Sequence, residues 1–286
     1  MLATQLLING IALGSLYALA AVGLSLIFWT TRVFHIAHGG AYVVAAYVFI
    51  ELLERFGAVV AVLGSLAAAV AFGYGINRFV YRPIQRSRDS FFTLFVASFG
   101  ALIVVSNLIS ILWGSNVKTL EPISDPVQVG SIQAPSAAVI GLVVAIVFLA
   151  FLQMFLAKSE TGVGLRAMAD NAALVDVLGL NRRRFGTTAF VIGSAMVVPA
   201  AILTTYVQGV QPTSGLRVAT IGLVVSIAGG VGSLSGAVVG GVLLGVVENV
   251  SILWVNPLWA EAVGFSVLLA ILVVRPTGII PRRAQA

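Results

Sequence analysis

Long stretches without a single ionisable side chain recur along this sequence, and they restrict its fold more than any motif does. Leu6 to Trp29, Phe91 to Trp113 and Ala137 to Leu156 contain no Asp, Glu, Lys, Arg or His. Each is long enough to cross a hydrocarbon core, which takes about 20 apolar residues. Charged side chains are only 9% of the 286 residues, against roughly a quarter in soluble domains. The expectation is an all-α, polytopic membrane protein forming one domain over 1–286, with about 8–10 helices and no room for a second, soluble domain.

Nine apolar runs can be delimited: Leu6–Trp29, Ile36–Ile50, Ala58–Val80, Phe91–Trp113, Ala137–Leu156, Thr187–Val207, Val218–Ala228, Leu234–Leu253 and Leu258–Val274. Ile36–Ile50 and Val218–Ala228 are short and adjoin Gly clusters, so they are expected to be broken or partly re-entrant helices. With nine crossings, thirteen of the sixteen Lys and Arg residues fall in one alternate set of loops, leaving Arg55, Lys118 and Arg217 on the other side. The positive-inside rule then places the N-terminus outside and the C-terminus inside. In a chain this apolar, the net charge of +6 reports orientation rather than nucleic-acid binding. The absence of cysteine removes disulfides, Cys-based metal sites and thiol chemistry.

Two loops are too long to be simple connectors. On the expected outer side, 114–136 is polar and punctuated by Pro122, Pro126 and Pro135. On the inner side, within the loop 158–184, Leu165, Met168, Ala172, Val175 and Leu178 recur at three- and four-residue steps, while Arg166, Asp170 and Asp176 occupy other faces. This spacing predicts one amphipathic helix of about four turns over 164–179, stopped at Gly179. Such a helix suits a lipid surface or a groove on a soluble partner; a packed connector with no partner fits less well, because the segment carries so many charges.

Glycines form ladders at four-residue spacing: Gly232, Gly236 and Gly240, then Gly241 and Gly245, with Gly10, Gly14 and Ala18 a milder version. Close helix packing is the expected role of most of them. The stretch from Gly229 and Gly230 through Gly232, Ser233, Ser235 and Gly236 is not a dinucleotide fingerprint, for it lacks the third Gly at its required place and any βαβ setting. It reads as a chain break between helices, matched by a first break at His35, His38, Gly39 and Gly40. Paired interruptions in two halves of a chain are the pattern of an internal repeat and point to a translocation path.

No P-loop, H-E-x-x-H or G-x-S-x-G sequence is present, so the chain is not expected to hydrolyse ATP or to be an enzyme. Glu248 is the clearest acid within a run, with Glu261 near the start of another, a thin basis for ion coupling. Ser98, Ser106, Asn107, Gln153 and Asn249 are the other polar residues in or ending the spans. The two histidines, with no Cys beside them, suit hydrogen bonding at the break rather than metal binding.

Several ordered segments resemble the LivH-type permeases of branched-chain amino acid ABC importers. They are Gly10 to Leu24, Arg32 to Gly39 with Ala41 and Tyr42, Val80 to Ile84, Thr161 to Met168 with Gly179, Gly229 to Ala237 through Glu248, and Arg275 to Gly278. The resemblance implies a multi-pass subunit of the bacterial cytoplasmic membrane. Its partners would be a second permease, a related LivM-type subunit or a second copy, with two cytoplasmic ATPases and an extracytoplasmic solute-binding protein. No cofactor is expected in this chain, and ATP and Mg would be held by the ATPases. The resemblance turns the amphipathic segment, with Gly164, Leu165, Arg166, Met168, Asp170, Ala172, Val175 and Gly179, into a helix that couples to an ATPase. It also implies alternating access for a branched-chain amino acid, with urea, short amides or aromatic acids as the family's other solutes. A stand-alone channel or carrier for a neutral solute and a membrane scaffold are the competing readings.

Overall fold

The computed structural model describes residues 2–85, 90–129, 132–230 and 232–280. Its helices are α1 (Leu2–Thr31), α2 (His38–Phe56), α3 (Ala58–Gly75), α4 (Arg82–Ile84), α5 (Ser90–Trp113), α6 (Ser136–Lys158), α7 (Glu160–Asp170), α8 (Ala172–Val177), α9 (Arg182–Val207), α10 (Ser214–Gly229), α11 (Leu234–Ser251) and α12 (Ala260–Val274). A π-helical turn, Ile76–Tyr81, carries α3 into α4 without a gap. Strands β1 (Val127–Val129) and β2 (Ile132–Ala134) form an antiparallel hairpin within the long loop before α6, an element the apolar patterning did not foresee.

Among the described residues, seven helices are long and apolar enough to cross a membrane. The two short runs differ from expectation. From His38 on, the first lies in one continuous helix, with only Ile36 and Ala37 in the turn before it, and the second lies wholly within another. Helix α2 runs on past Ile50 through Glu51, Glu54 and Arg55, and α10 begins four residues before its apolar run, at Ser214. Hydropathy misses these turns because a helix needs only its backbone bonds, not apolar side chains, once it has left lipid.

Contacts between distant parts of the chain sort the helix ends into two sets. At one end Arg32 meets Ala169, Arg82 meets Thr187, and Ile280 meets Gly229. At the other, Trp113 meets Glu51, Lys118 meets Val210, and Arg217 meets Glu261. Among the described residues, the nine longer helices therefore run alternately between a basic end and an opposite end. Arg86, Arg88, Arg282 and Arg283, which also enter the charge argument, lie outside the described residues.

Helix α1 is the axis of the bundle, and its side chains from Leu16 to Ile27 are almost wholly buried. It packs against α6, α9, α10 and α11. The glycine ladders explain how closely: a Cβ at Gly14 would lie 2.7 Å from Val242 Cα, and one at Gly241 2.6 Å from the Ala18 nitrogen. Gly10 and Gly14 of α1 thus face Gly241 and Gly245 of α11, while Gly236 and Gly240 turn the other way, toward α10. Lipid tails are as apolar as leucine, so this packing rests on backbone approach and dispersion rather than on the hydrophobic effect. The outer helices show the complementary surface: Val59 and Leu63 of α3, Ile111 of α5, Phe151 of α6 and Val273 of α12 are all exposed, as suits a lipid boundary.

Candidate functional site

The first break follows α1 at Arg32, which holds φ at 59°, a left-handed backbone rare outside glycine. His35 and His38 behind it are both fully buried. His35 Nδ1 lies 2.7 Å from the Tyr81 hydroxyl, and that hydroxyl donates to Ser98 Oγ at 2.7 Å. Ser98 Oγ in turn accepts the Ala37 backbone N–H at 2.8 Å, while His38 Nε2 lies 3.1 Å from the Ala20 carbonyl. A buried backbone N–H freed by a break must find a partner, and Ser98 supplies it. Both histidines are therefore enclosed by protein, with Phe190 packed 5.0 Å from the His35 ring. Gly39 meets Gly215 of α10 backbone to backbone, and Gly40 lies under the Phe72 ring. Tyr81 and Ser98 were not legible as partners of this break.

The second break, 230–233, joins α10 to α11 at the same basic end. Gly230 and Gly232 take φ of 121° and 80°, where a side chain would be strained, and the Ser233 hydroxyl caps α11 by accepting from Gly236 N at 3.0 Å. Ser235 lies 3.4 Å from Ser233, Oγ to Oγ. Gly229 packs directly on Gly236. A strap after α12 closes over this break: Ile279 N–H donates to the Ala228 carbonyl at 2.9 Å and Ile280 N–H to the Gly229 carbonyl at 3.0 Å.

Where the spacing predicts one amphipathic helix over 164–179, the structure has two. Asn171 ends α7 and begins α8, its side chain accepting from Ala173 N and Leu174 N at 3.1 and 3.0 Å. Asparagine prefers this capping position to a helix interior, which is why the segment breaks there. The apolar stripe is also used differently. Gly164, Leu165, Met168 and Val175 are buried within this chain, with Gly164 against the Phe185 ring, and Ala172 is half-buried. Arg166 is exposed and donates to the Ala157 carbonyl at 3.3 Å, Asp170 is exposed at the end of α7, and Gly179 follows α8 with φ of 72°. The large apolar residues left to solvent are Val163, Leu174, Val177, Leu178 and Leu180, with Val177 82% exposed. Beside this segment lies a cleft of about 470 Å³ whose lining includes Arg32, Arg78, Arg82, Arg182 and Arg183.

At the opposite end, Arg217 of α10 joins three other elements. Its guanidinium donates to Glu261 at 3.0 Å, to Glu248 at 3.3 Å and to the Gln208 side chain at 3.3 Å. Glu248, singled out in the sequence, is buried; Arg217 and Glu261, which give it meaning, are 31 and 13 residues away along the chain (248 − 217 and 261 − 248). Asn107 and Asn249 do no more than bond their own helices, to the carbonyls of Ile103 and Gly245. A cavity of about 420 Å³ opens in front of Arg217. Among the described residues, no group of three or more His, Cys, Asp or Glu stands ready to hold a metal.

Residues 6–272 match the family described as branched-chain amino acid transport system, permease component. The chain belongs to that family. Among the permease's relatives, the high-affinity branched-chain amino acid transport system permease protein LivH of Salmonella typhimurium is 31% identical, the similarity covering 97% of this chain and 95% of that protein. The permease protein BraD of Pseudomonas aeruginosa is 30% identical over the same shares. A probable LivH of the archaeon Methanocaldococcus jannaschii is 24% identical over 96% of this permease and 91% of that protein. The similarity thus runs through both breaks, the α7–α8 segment and the Arg217 cluster, and the chain is a multi-pass membrane permease component.

Proposed function

We propose that this permease is the membrane-spanning subunit of an ATP-driven importer of branched-chain amino acids in the bacterial cytoplasmic membrane, with the basic end inside. It would act with a second permease subunit, two cytoplasmic ATPases that hold ATP and Mg, and an extracytoplasmic solute-binding protein. The observation that carries this reading is the α7–α8 segment. It lies at the basic end, is anchored on α1, α6 and α9, and exposes Leu174, Val177 and Leu178 where a soluble partner would meet them. Helix-in-groove docking uses such apolar anchors. Gly162 and Gly164 press α7 onto Leu156 of α6 and Phe185 of α9, so a movement of α7 is passed to both helices. The lack of a P-loop in the chain accords with ATP being hydrolysed elsewhere. The mechanism we propose is alternating access, in which ATPase closure moves α7–α8, the bundle tilts, and solute released at the opposite end passes inward.

The test is ATP hydrolysis by the reconstituted complex with and without loaded binding protein. Val177→Asp and Leu178→Asp are expected to lower the stimulated rate about tenfold or more, as loss of a buried interface anchor does. Because both side chains are exposed in the isolated chain, its thermal midpoint should stay unchanged. Stimulation that survives both substitutions would refute the docking role of this segment.

A further inference from the structure

We propose that the cavity in front of Arg217 is a receiving site for a zwitterionic α-amino acid, with the solute carboxylate on Arg217 and its ammonium on Glu261. The inference rests on the importer reading and extends it to the chemical class of solute that the membrane subunit itself recognises.

Charge arithmetic makes the first case. One guanidinium stands between two carboxylates, so Glu261 can give up its share of Arg217 to a solute ammonium while the guanidinium takes the solute carboxylate, and no net charge is added. Glu248 supplies the second observation: it is held by Arg217 and engages the Tyr17 hydroxyl, so its partners lie within the protein and the carboxylate free to exchange partners is Glu261.

The two acids have different positions and so different tasks. Glu248 sits behind Arg217, its side chain 11% exposed, and is a positioning residue that holds the guanidinium whatever lies in front. Glu261 is in the cavity wall, its side chain 34% exposed. A guanidinium has five N–H donors, of which three are engaged here, leaving donors for a carboxylate. Entry of an amino acid would exchange the Arg217–Glu261 bridge for two new ones, carboxylate on Arg217 and ammonium on Glu261, with no change of net charge. An exposed bridge is weak, so the exchange requires little energy. For the same reason the site binds weakly, as suits a station from which solute must move on.

Size and surroundings agree. The cavity volume of about 420 Å³ lies within the ~300–1,000 Å³ of small-molecule sites. Val117 and Leu216 offer apolar wall for an aliphatic side chain, and Tyr42 forms part of the lining. Paired backbone bonds of 2.8 Å between Lys118 and Val210 pin the long loop beside the cavity. On the importer reading the solute-binding protein docks at this end, so a released solute would enter next to its donor.

Saturation-transfer NMR on the whole complex in nanodiscs, without binding protein, tests the site with L-leucine as the probe. Leucine is expected to bind in the millimolar range, about 1 mM corresponding to a weak encounter. Isoamylamine, which lacks the carboxylate, and 4-methylpentanoate, which lacks the ammonium, should fail to displace it at equal concentration. Arg217→Gln and Glu261→Gln should each weaken leucine binding about tenfold or more. Arg217→Gln strands Glu248 and is checked by thermal unfolding; should it not fold, Glu261→Gln keeps the Arg217–Glu248 pair and carries the test alone. The proposal is overturned if the native complex shows no leucine signal, if isoamylamine competes as well as leucine, which marks a plain cation site, or if a folded variant binds as the native protein does. ATP hydrolysis stimulated by loaded binding protein is measured in parallel. Stimulation without a leucine signal removes this site and leaves the importer standing, whereas no stimulation by any loaded binding protein removes the importer.

Discussion

Replacing Gly14 with Ala adds one methyl group, and its consequence can be worked from the α1–α11 packing. The new Cβ would lie 2.7 Å from Val242 Cα and 2.8 Å from the Val242 carbonyl oxygen. Carbon atoms rest at about 3.5–4.0 Å, so the two backbones must separate by about 1 Å. No side chain can rotate away, because every close atom is main chain. Overpacking of this kind costs about 1–3 kcal/mol, and the shift also loosens the neighbouring approaches at Gly10 and Gly245. At roughly 2–4 °C per kcal/mol for a chain of this size, the thermal midpoint should fall by about 2–12 °C. The control is Gly100→Ala on α5, where a Cβ meets nothing within 4 Å. There the substitution removes a glycine from a helix interior and should be neutral or stabilising by up to ~1 kcal/mol. Both are read by size-exclusion survival after heating in mild detergent. Equal shifts for the two alanines, or a larger loss at Gly100, would refute the packing of α1 on α11.

Two further outcomes are expected. Ser98→Ala removes the acceptor of the Ala37 N–H and of the Tyr81 hydroxyl together, and should destabilise the protein by about 1–3 kcal/mol, measured by the same heating assay; an unchanged midpoint would show that the first break does not depend on this bond. Because the chain has no cysteine, single Cys replacements report orientation directly. A Cys at Lys118 should react with an impermeant maleimide in spheroplasts, and one at Lys158 only after lysis; the reverse pattern would invert the proposed topology.

The long helices were legible because lipid imposes one requirement, an uninterrupted apolar run, and that requirement is written locally. Leu234 and Val274, read as boundaries of apolar runs, are helix ends in the structure. What the sequence hid were pairings across the bundle. Glu248 stood out as an acid in an apolar run, but nothing local says that Arg217 and Glu261 reach it from two other helices. The same holds for Tyr81 and Ser98 at His35. The α7–α8 segment shows a subtler limit. Its three- and four-residue periodicity correctly marked an amphipathic stretch, yet periodicity names a face without saying what covers it. Leu165, Met168 and Val175 turned inward, while Leu178 of the same stripe stayed exposed together with Leu174 and Val177, which lay off it. Asn171 was the missed signal, since its preference for capping marks the joint at which the face is reset.

The strap that bonds Ile279 and Ile280 to Ala228 and Gly229 also sets an order of events during synthesis. Residues 228 and 229 are made roughly fifty residues before the two amides that complete them. At 5–20 residues per second this leaves a wait of about 3–10 s, during which α10 and α11 are present but their junction has open carbonyls. The junction therefore closes only after α12 has been made and inserted. Assembly of this half of the bundle is finished by a segment that crosses no membrane at all.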